Sequence, residues 1–175
     1  MLGQQAPQSQ AKPLYTAEQR RRRDASRWTL VQGILAPIQF LVFLVSLALV
    51  ARFLMTGEGA TAATASVIVK TLALYTIMIT GAIWEKDVFG QYLFAEGFYW
   101  EDMVSMLVLA LHTAYLACAL FGLISLESQM WLALAAYATY LINAAQFILK
   151  LRTARLQSPS AVSQSAALRF AEAAE

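Results

Sequence analysis

The sequence has 175 residues, of which 59% are hydrophobic and 14% are charged, with a formal net charge of +2. This apolar balance excludes an ordinary soluble domain, and the single cysteine, Cys118, excludes a disulfide framework. The net charge does not predict a nucleic-acid partner, because most cations lie in short segments that flank apolar runs. The lipid bilayer is therefore the first expected partner.

Four apolar runs follow one another along the chain, and each is long enough to cross a bilayer as an α-helix. They cover Trp28 to Phe53, Ala62 to Trp84, Asp102 to Ile124 and Met130 to Leu149. About 20 helical residues cross a hydrocarbon core about 30 Å thick, and a helix satisfies its own backbone hydrogen bonds in lipid. Because the outer connections are short, the sequence predicts an all-α polytopic membrane protein, a four-transmembrane-helix bundle in up-down-up-down order.

The positive charges predict how these spans are oriented. Eleven of the thirteen Lys and Arg residues lie before the first span, between the second and third spans, or after the fourth span. By the positive-inside rule, both termini and the middle connection should be cytoplasmic. The predicted parts are a basic segment at 1–27, a membrane domain at 28–149 and a tail at 150–175. The run from Arg20 to Arg23 should anchor the topology and contact anionic lipid, and a short helix is expected over Ala166 to Ala174.

The cytoplasmic connection at 85–101 has an unusual composition. From Trp84 to Asp102 the chain holds five carboxylates and seven aromatic rings but only one lysine. One interpretation is an interfacial aromatic belt with solvated acids. The other is a site for a flat substrate that partitions into the membrane, with acids placed beside an aromatic surface. The carboxylates are Glu85, Asp87, Glu96, Glu101 and Asp102, and the tryptophans are Trp84 and Trp100.

Polar residues within the spans fall on single helical faces, which should converge inside the bundle. These stripes are Gln32, Gln39 and Ser46 on the first span, Glu101, Ser105 and His112 on the third, and Tyr140, Asn143 and Gln146 on the fourth. Interhelical hydrogen bonding is the simpler explanation for the amides. Lys70 and His112 lie at matching depths, and intramembrane ionisable residues indicate functional sites. Two alternatives stay open: Lys70 could extend outward to the membrane surface, and His112 could be a satisfied interior histidine.

Three contiguous segments, with a shorter fourth, carry a resemblance to a known family. They are Trp28 to Pro37, Ala82 to Phe94, Trp100 to Tyr115 and Asn143 to Phe147. Through them, roughly residues 23–156 resemble the 3-vinyl bacteriochlorophyllide hydratase family of bacteriochlorophyll biosynthesis. The resemblance implies a small multi-span protein of the inner (cytoplasmic or intracytoplasmic) membrane of a phototrophic bacterium. It also implies water addition across the 3-vinyl group of chlorophyllide or bacteriochlorophyllide a, which gives a 3-(1-hydroxyethyl) group.

Hydration of a vinyl group needs an acid that protonates the terminal carbon and a base that activates water. A neutral carboxylic acid beside an ionised carboxylate supplies both. The candidates are Glu85, Asp87, Glu101 and Asp102, whereas Glu96 is expected to be solvated. Contacts with the pigment are expected from His112, Lys70, Gln39, Asn143, Gln146, Trp84 and Trp100.

No cofactor of the protein's own is expected, because the magnesium belongs to the substrate, and His112 is the candidate axial ligand to it. The competing class is a non-catalytic pigment carrier or photosystem assembly factor, with the aromatic connection as a docking surface. Other pigment-synthesis enzymes and a second copy of the chain are candidate partners.

Overall fold

The computed structural model describes residues 14–156, and within them the chain forms five helices. They are α1 (Ala17–Ala25), α2 (Arg27–Thr56), α3 (Ala60–Phe89), α4 (Tyr99–Phe121) and α5 (Leu126–Leu156). The last four are long and apolar enough to cross a membrane. The predicted four-span helical bundle is therefore confirmed. The helix expected over 166–174 and the segment 1–13 lie outside the described residues.

Local sequence signals explain where the helices begin and end. A capping box between Thr16 and Gln19 starts α1, and the Ser26 side chain accepts the Trp28 N–H at the start of α2. At the C-terminal end of α3, Gly90 lies in the left-handed region with φ +87°. That conformation is strained for residues with a Cβ, so the helix stops at the first glycine after Gly81.

The bundle consists of two helical hairpins. The helix α2 packs mainly against α3, and α4 packs mainly against α5, while contacts of α2 with α5 and of α3 with α4 join the hairpins. The buried interior is apolar and aromatic at mid-height, and it includes Phe43, Val67, Leu74, Val108, Tyr115, Tyr137 and Tyr140. The outer faces carry exposed apolar side chains such as Leu41, Val45 and Leu120, as expected of surfaces that contact lipid.

The helices extend beyond the predicted apolar runs at the middle connection and in the fourth span. The connection expected at 85–101 is shorter, because α3 continues to Phe89 and α4 begins at Tyr99, which leaves only residues 90–98 between them. Glu85, Lys86 and Asp87 are acceptable helix residues, so a polar composition alone does not end α3. Similarly, α5 begins at Leu126 and runs to Leu156, beyond both ends of the predicted span. An apolar run marks the lipid-immersed part of a helix and not its polar turns.

The N-terminal segment packs against the end of the bundle at which the 90–98 loop lies, called the loop end below. Tyr15 is buried there, with its ring stacked on Phe89 at a centroid distance of 5.7 Å and tilted against Phe98 at 6.3 Å. The guanidinium of Arg23 lies 4.8 Å from the centre of the Tyr15 ring. Burial raises the pKa of Tyr15, so this ring is neutral at physiological pH. The segment thus covers the loop end.

Candidate active site

Two buried carboxyl groups meet at the loop end. Glu85 lies four residues before the end of α3 and is 5% exposed, and Asp102 lies in the first turn of α4 and is 3% exposed. Their side chains lie within hydrogen-bonding reach of each other. The 90–98 loop folds over them: the Phe94 N–H donates to Asp102 Oδ2 at 2.7 Å, and the Ala95 N–H donates to Glu85 Oε2 at 3.3 Å.

A hydrogen bond between two carboxyl groups requires a proton on one of them. Two buried like charges at this distance cannot both ionise, so the pair holds one neutral acid and one carboxylate. Asp102 accepts the shorter backbone hydrogen bond, 2.7 Å against 3.3 Å for Glu85, which favours the ionised form on Asp102. The shared proton is therefore held better on Glu85 than on Asp102.

The loop conformation that supplies these backbone donors is unusual. Phe94 has φ +60°, in the left-handed region that residues with a Cβ rarely adopt. Its ring lies 5.7 Å from that of Tyr99. The strained backbone turns the N–H groups of Phe94 and Ala95 toward the two carboxyl groups, and strain of this kind is concentrated at functional sites.

The other two predicted acids have different partners. Glu101 is buried and forms an ion pair with the Lys150 ammonium. Asp87 is exposed on α3 and accepts the hydroxyl of Ser26, which joins the start of α2 to the end of α3. Glu96 is exposed, as the sequence predicts. Of the four predicted acids, the structure therefore brings Glu85 and Asp102 together, places Glu101 beside them and places Asp87 on the surface.

The two predicted tryptophans lie in contrasting surroundings. Trp84 is half-buried, donates its indole N–H to Thr29 Oγ1 at 2.9 Å, and packs against Phe89 and Phe98 at 5.8 and 5.6 Å. Trp100 is 70% exposed and lies edge-on to Tyr99 at 5.5 Å. Trp84 thus belongs to the packed aromatic layer beneath the N-terminal segment, and Trp100 projects from the loop end.

A second polar region lies deeper in the bundle. Lys70 and His112 are both fully buried, so Lys70 does not extend outward. The Lys70 ammonium lies 3.7 Å from the centre of the Tyr140 ring, and the His112 Nδ1 is 2.8 Å from the Val108 carbonyl. Nδ1 must therefore carry the hydrogen, which leaves a lone pair on Nε2. Within residues 14–156, Lys70 Nζ, His112 Nε2 and Gln39 Nε2 have no hydrogen-bond partner.

The two predicted amide side chains on α5 also differ in whether they have hydrogen-bond partners. Asn143 donates to the Glu101 carbonyl at 2.8 Å and accepts from the Ser105 hydroxyl at 3.2 Å, so it links α5 to the first turns of α4. Gln146 has a buried side-chain oxygen without a partner in the described part of the chain. Ten residues separate Asp102 from His112 on α4, a rise of about 15 Å. The two polar regions are therefore distinct.

Three contributors to the loop-end site do not emerge from the sequence reading. Lys150 belongs to the charges that follow the fourth span, and it also follows Asn143 by two helical turns and so shares its face. The backbone N–H groups of Phe94 and Ala95 have no sequence signal, since any residue supplies one. The glycine and aromatic content of the connection indicates a turn there, but not the direction of its amides.

Four spans and a proton-sharing pair of buried carboxyl groups define a membrane protein suited to acid–base chemistry. The chain belongs to the 2-vinyl bacteriochlorophyllide hydratase (BCHF) family, which matches residues 15–153. The protein of that name from Rhodobacter capsulatus is 68% identical over 149 residues, or 85% of this chain and 86% of that protein. The one from Cereibacter sphaeroides is 66% identical over 158 residues, or 89% of this chain and 98% of that protein. No solved structure matches.

These findings confirm the family that the sequence resemblance indicates. The family name numbers the vinyl group 2, and the same group is the 3-vinyl group of the sequence analysis. The matched range begins at Tyr15 and ends at Thr153. It therefore includes the N-terminal segment that covers the loop end, all four spans and the five side chains of the acidic site, Glu85, Glu101, Asp102, Asn143 and Lys150.

Proposed function

We propose that this chain hydrates the vinyl side chain of a bacteriochlorophyll precursor and uses Glu85 and Asp102 as acid and base. The family supports the overall reaction. The observation that supports the residue assignment is the close approach of two buried carboxyl groups under the 90–98 loop, whose backbone N–H groups bond to both. Such a pair supplies both functions that the addition of water requires.

In the proposed reaction, the Glu85 O–H bond breaks as a C–H bond forms at the terminal vinyl carbon. The cation develops on the carbon next to the macrocycle, which delocalises it. Water attacks that carbon, and its proton passes to the Asp102 carboxylate. The product is a 1-hydroxyethyl group, and the pair now carries its proton on Asp102.

The same close approach resets the pair. After one turnover Glu85 is ionised and Asp102 is neutral, so one proton transfer along the carboxyl–carboxyl contact restores the starting state. No proton from bulk solvent is needed, which suits a pair that the loop and the N-terminal segment cover. The Phe94 and Ala95 N–H groups stabilise whichever oxygen is charged during this exchange.

For the rest of the pigment we retain the predicted contacts as proposals. His112 is the proposed axial ligand of the substrate magnesium, because its Nε2 lone pair has no protein partner within the described residues. Lys70 and Gln39 offer unpartnered polar atoms in the same interior, and Gln146, which lies between Asn143 and Lys150 on α5, offers one nearer the loop end. Trp100 offers an exposed ring beside the loop end, and Trp84 and Asn143 act through packing and hydrogen bonding. The protein supplies no cofactor in this proposal, since the metal belongs to the substrate.

The experiment that tests this function uses membranes that contain the full chain. They are incubated with the vinyl-bearing magnesium pigment, and the product is followed by its greater polarity and blue-shifted absorption. Conversion to the hydroxyethyl pigment supports the proposal. Binding of the pigment without conversion would instead support a carrier.

We further propose that the protein lies in the bacterial inner membrane with both termini and the 90–98 loop in the cytoplasm. The charge distribution supports this orientation. Reporter fusions at the C-terminus and between Thr56 and Thr61 should report opposite sides of the membrane, and the same side for both would overturn the orientation. Contacts with other pigment-synthesis enzymes or with a second copy of the chain stay predictions.

A further inference from the structure

We infer that Lys150 and Glu101 are positioning residues that hold the Glu85–Asp102 pair in place and set the charge around it. This inference rests on the proposed function, because it assigns a role relative to the proposed acid and base. Neither residue needs to contact the substrate for this role. It replaces the predicted catalytic role of Glu101 with an indirect one.

The burial and bonding of Glu101 and Lys150 support this positioning role. Glu101 is buried, and its side chain is 9% exposed, while the side chain of Lys150 is 26% exposed. The Lys150 ammonium bonds to Glu101 Oε2 and lies 5.3 Å from the centre of the Phe98 ring. A partly buried ion pair is screened less by salt than a fully exposed pair. It therefore acts on neighbouring charges more strongly than a surface pair does.

Backbone contacts at Glu101 add to its ion pair with Lys150, and together these bonds form a clamp between α5 and α4. The Glu101 carbonyl accepts both the Asn143 Nδ2 at 2.8 Å and the Ser105 hydroxyl at 2.8 Å. Together with Lys150, these bonds attach α5 to the first turns of α4 through both the backbone and the side chain of Glu101. Asp102 is the next residue along the chain, so the clamp fixes the position from which its carboxyl group reaches Glu85.

The charges around the acid pair assign the electrostatic role to Lys150. From α4, Glu101 places a negative charge near Asp102, and from α5 Lys150 places a positive charge there. From α3, Lys86 and Asp87 follow Glu85 but are exposed. The 90–98 loop contributes two backbone N–H groups and the exposed Glu96, and the N-terminal segment contributes the neutral ring of Tyr15 through Phe98.

These charges predict opposite effects for the two halves of the clamp. Without Lys150, the Glu101 charge is uncompensated, so the pair holds its proton more tightly and Glu85 becomes a weaker acid. Without the charge of Glu101, Lys150 acts alone and the pair releases its proton more readily. An opposite charge within about 4–6 Å of a carboxyl group lowers its pKa by about one unit or more. Removing both charges should largely cancel the two effects.

The test measures the pH dependence of hydration in membranes for the wild type, Lys150→Met, Lys150→Arg, Glu101→Gln and the double variant Lys150→Met/Glu101→Gln. We expect the alkaline limit of activity to move upward by about one pH unit in Lys150→Met and downward in Glu101→Gln. Lys150→Arg and the double variant should remain close to the wild type. Lys86→Met is the matched control, because Lys86 is exposed and lies 4.6 Å from the centre of the Tyr92 ring.

The outcomes separate this inference from the function it rests on. A wild type that hydrates no pigment refutes the proposed function, whereas an active wild type whose pH limit is unchanged by both single substitutions overturns the role of the clamp. Complete loss of activity in Glu101→Gln and in the double variant would mark Glu101 as a catalytic residue and also overturn it. If Lys150→Met does not accumulate, the downward shift in Glu101→Gln and the wild-type behaviour of Lys150→Arg still decide.

Discussion

The bundle holds two polar regions that differ in how completely the protein satisfies them. At the loop end, Glu85 and Asp102 lie within hydrogen-bonding reach of each other and each accepts a backbone N–H, while Glu101 pairs with Lys150. About 15 Å deeper along the helices, Lys70 and His112 are fully buried with unpartnered nitrogen atoms. Both regions lie between the same helices, so general position in the fold does not explain the difference.

The energetic meaning of the two regions is different. A buried polar group without a partner costs about 1–3 kcal/mol, and a buried charge costs more. A fully bonded network instead rigidifies the side chains in it. The loop end is thus ordered for chemistry before any substrate arrives. Under the proposed function, the unpartnered nitrogen atoms of the deeper region would contact the pigment.

The largest expected effect comes from removing the transferable proton at the loop end. Glu85→Gln keeps the shape of the side chain, and its amide N–H can still donate to Asp102, but it cannot protonate a carbon. We expect turnover to fall by about 10²-fold or more, and Asp102→Asn to have a similar effect because the base is lost. Hydration is measured in membranes with the protein level checked.

Glu58→Gln provides a matched control for that substitution. Glu58 lies at the opposite end of the bundle, where its side chain is 74% exposed and pairs with Arg52 at 3.4 Å, and its variant should retain wild-type turnover. Glu96→Gln tests an exposed carboxylate in the 90–98 loop. Near-normal turnover in both Glu85→Gln and Asp102→Asn would refute the carboxyl mechanism and favour a carrier.

The sequence was sufficient for the spans, the polar faces and the set of candidate acids. Gln39, Ser46 and His112 are buried as their helical spacing predicts. The sequence alone does not predict that Glu85 lies beside Asp102, because Asp87 and Glu101 are equally good candidates in the sequence. That choice depends on how far α3 continues before Gly90 and on the direction in which the loop turns its amides. Both depend on tertiary contacts with the N-terminal segment and with α5, which a one-dimensional pattern does not contain.

The second prediction tests the deeper region with His112→Ala. If Nε2 ligates the substrate magnesium, affinity for the magnesium pigment should fall by about tenfold, while affinity for the metal-free pigment should hardly change. Pigment binding is measured by absorption titration in detergent for both ligands. An equal loss for the two pigments would mark His112 as a structural residue and would remove the proposed difference in role between the two regions.

A smaller effect is expected from Lys70→Met, measured by thermal unfolding of the pigment-free protein. Methionine fills a similar volume without an ammonium group that lacks a hydrogen-bond partner, so we expect the variant to be more stable by about 1 kcal/mol. The contact between the ammonium and the Tyr140 ring offsets part of the gain. Lower stability would mean that Lys70 is satisfied in the folded protein, and the two regions would then differ less than the unpartnered atoms indicate.

The smallest expected effect tests how tightly the N-terminal segment closes the loop end. A Cβ at Gly97 would lie 2.9 Å from Leu14 Cδ1, whereas one at Gly33 would meet no atom within 4 Å. Since the obstructing atom ends a flexible side chain, Gly97→Ala should destabilise by less than about 1 kcal/mol. Gly33→Ala, within α2, should instead stabilise by up to about 1 kcal/mol.

Thermal unfolding of the full chain in detergent measures whether each of these two substitutions raises or lowers stability. Adding Leu14→Ala to Gly97→Ala should remove the cost of the extra methyl group. The same variants also separate closure from stability. If the segment must move for the pigment to reach Glu85, Leu14→Ala alone should raise the rate of hydration at low pigment concentration while it lowers the unfolding temperature. An unchanged rate with a lower unfolding temperature would show that the segment only stabilises the loop end, and that the pigment reaches the acid pair from the bilayer side.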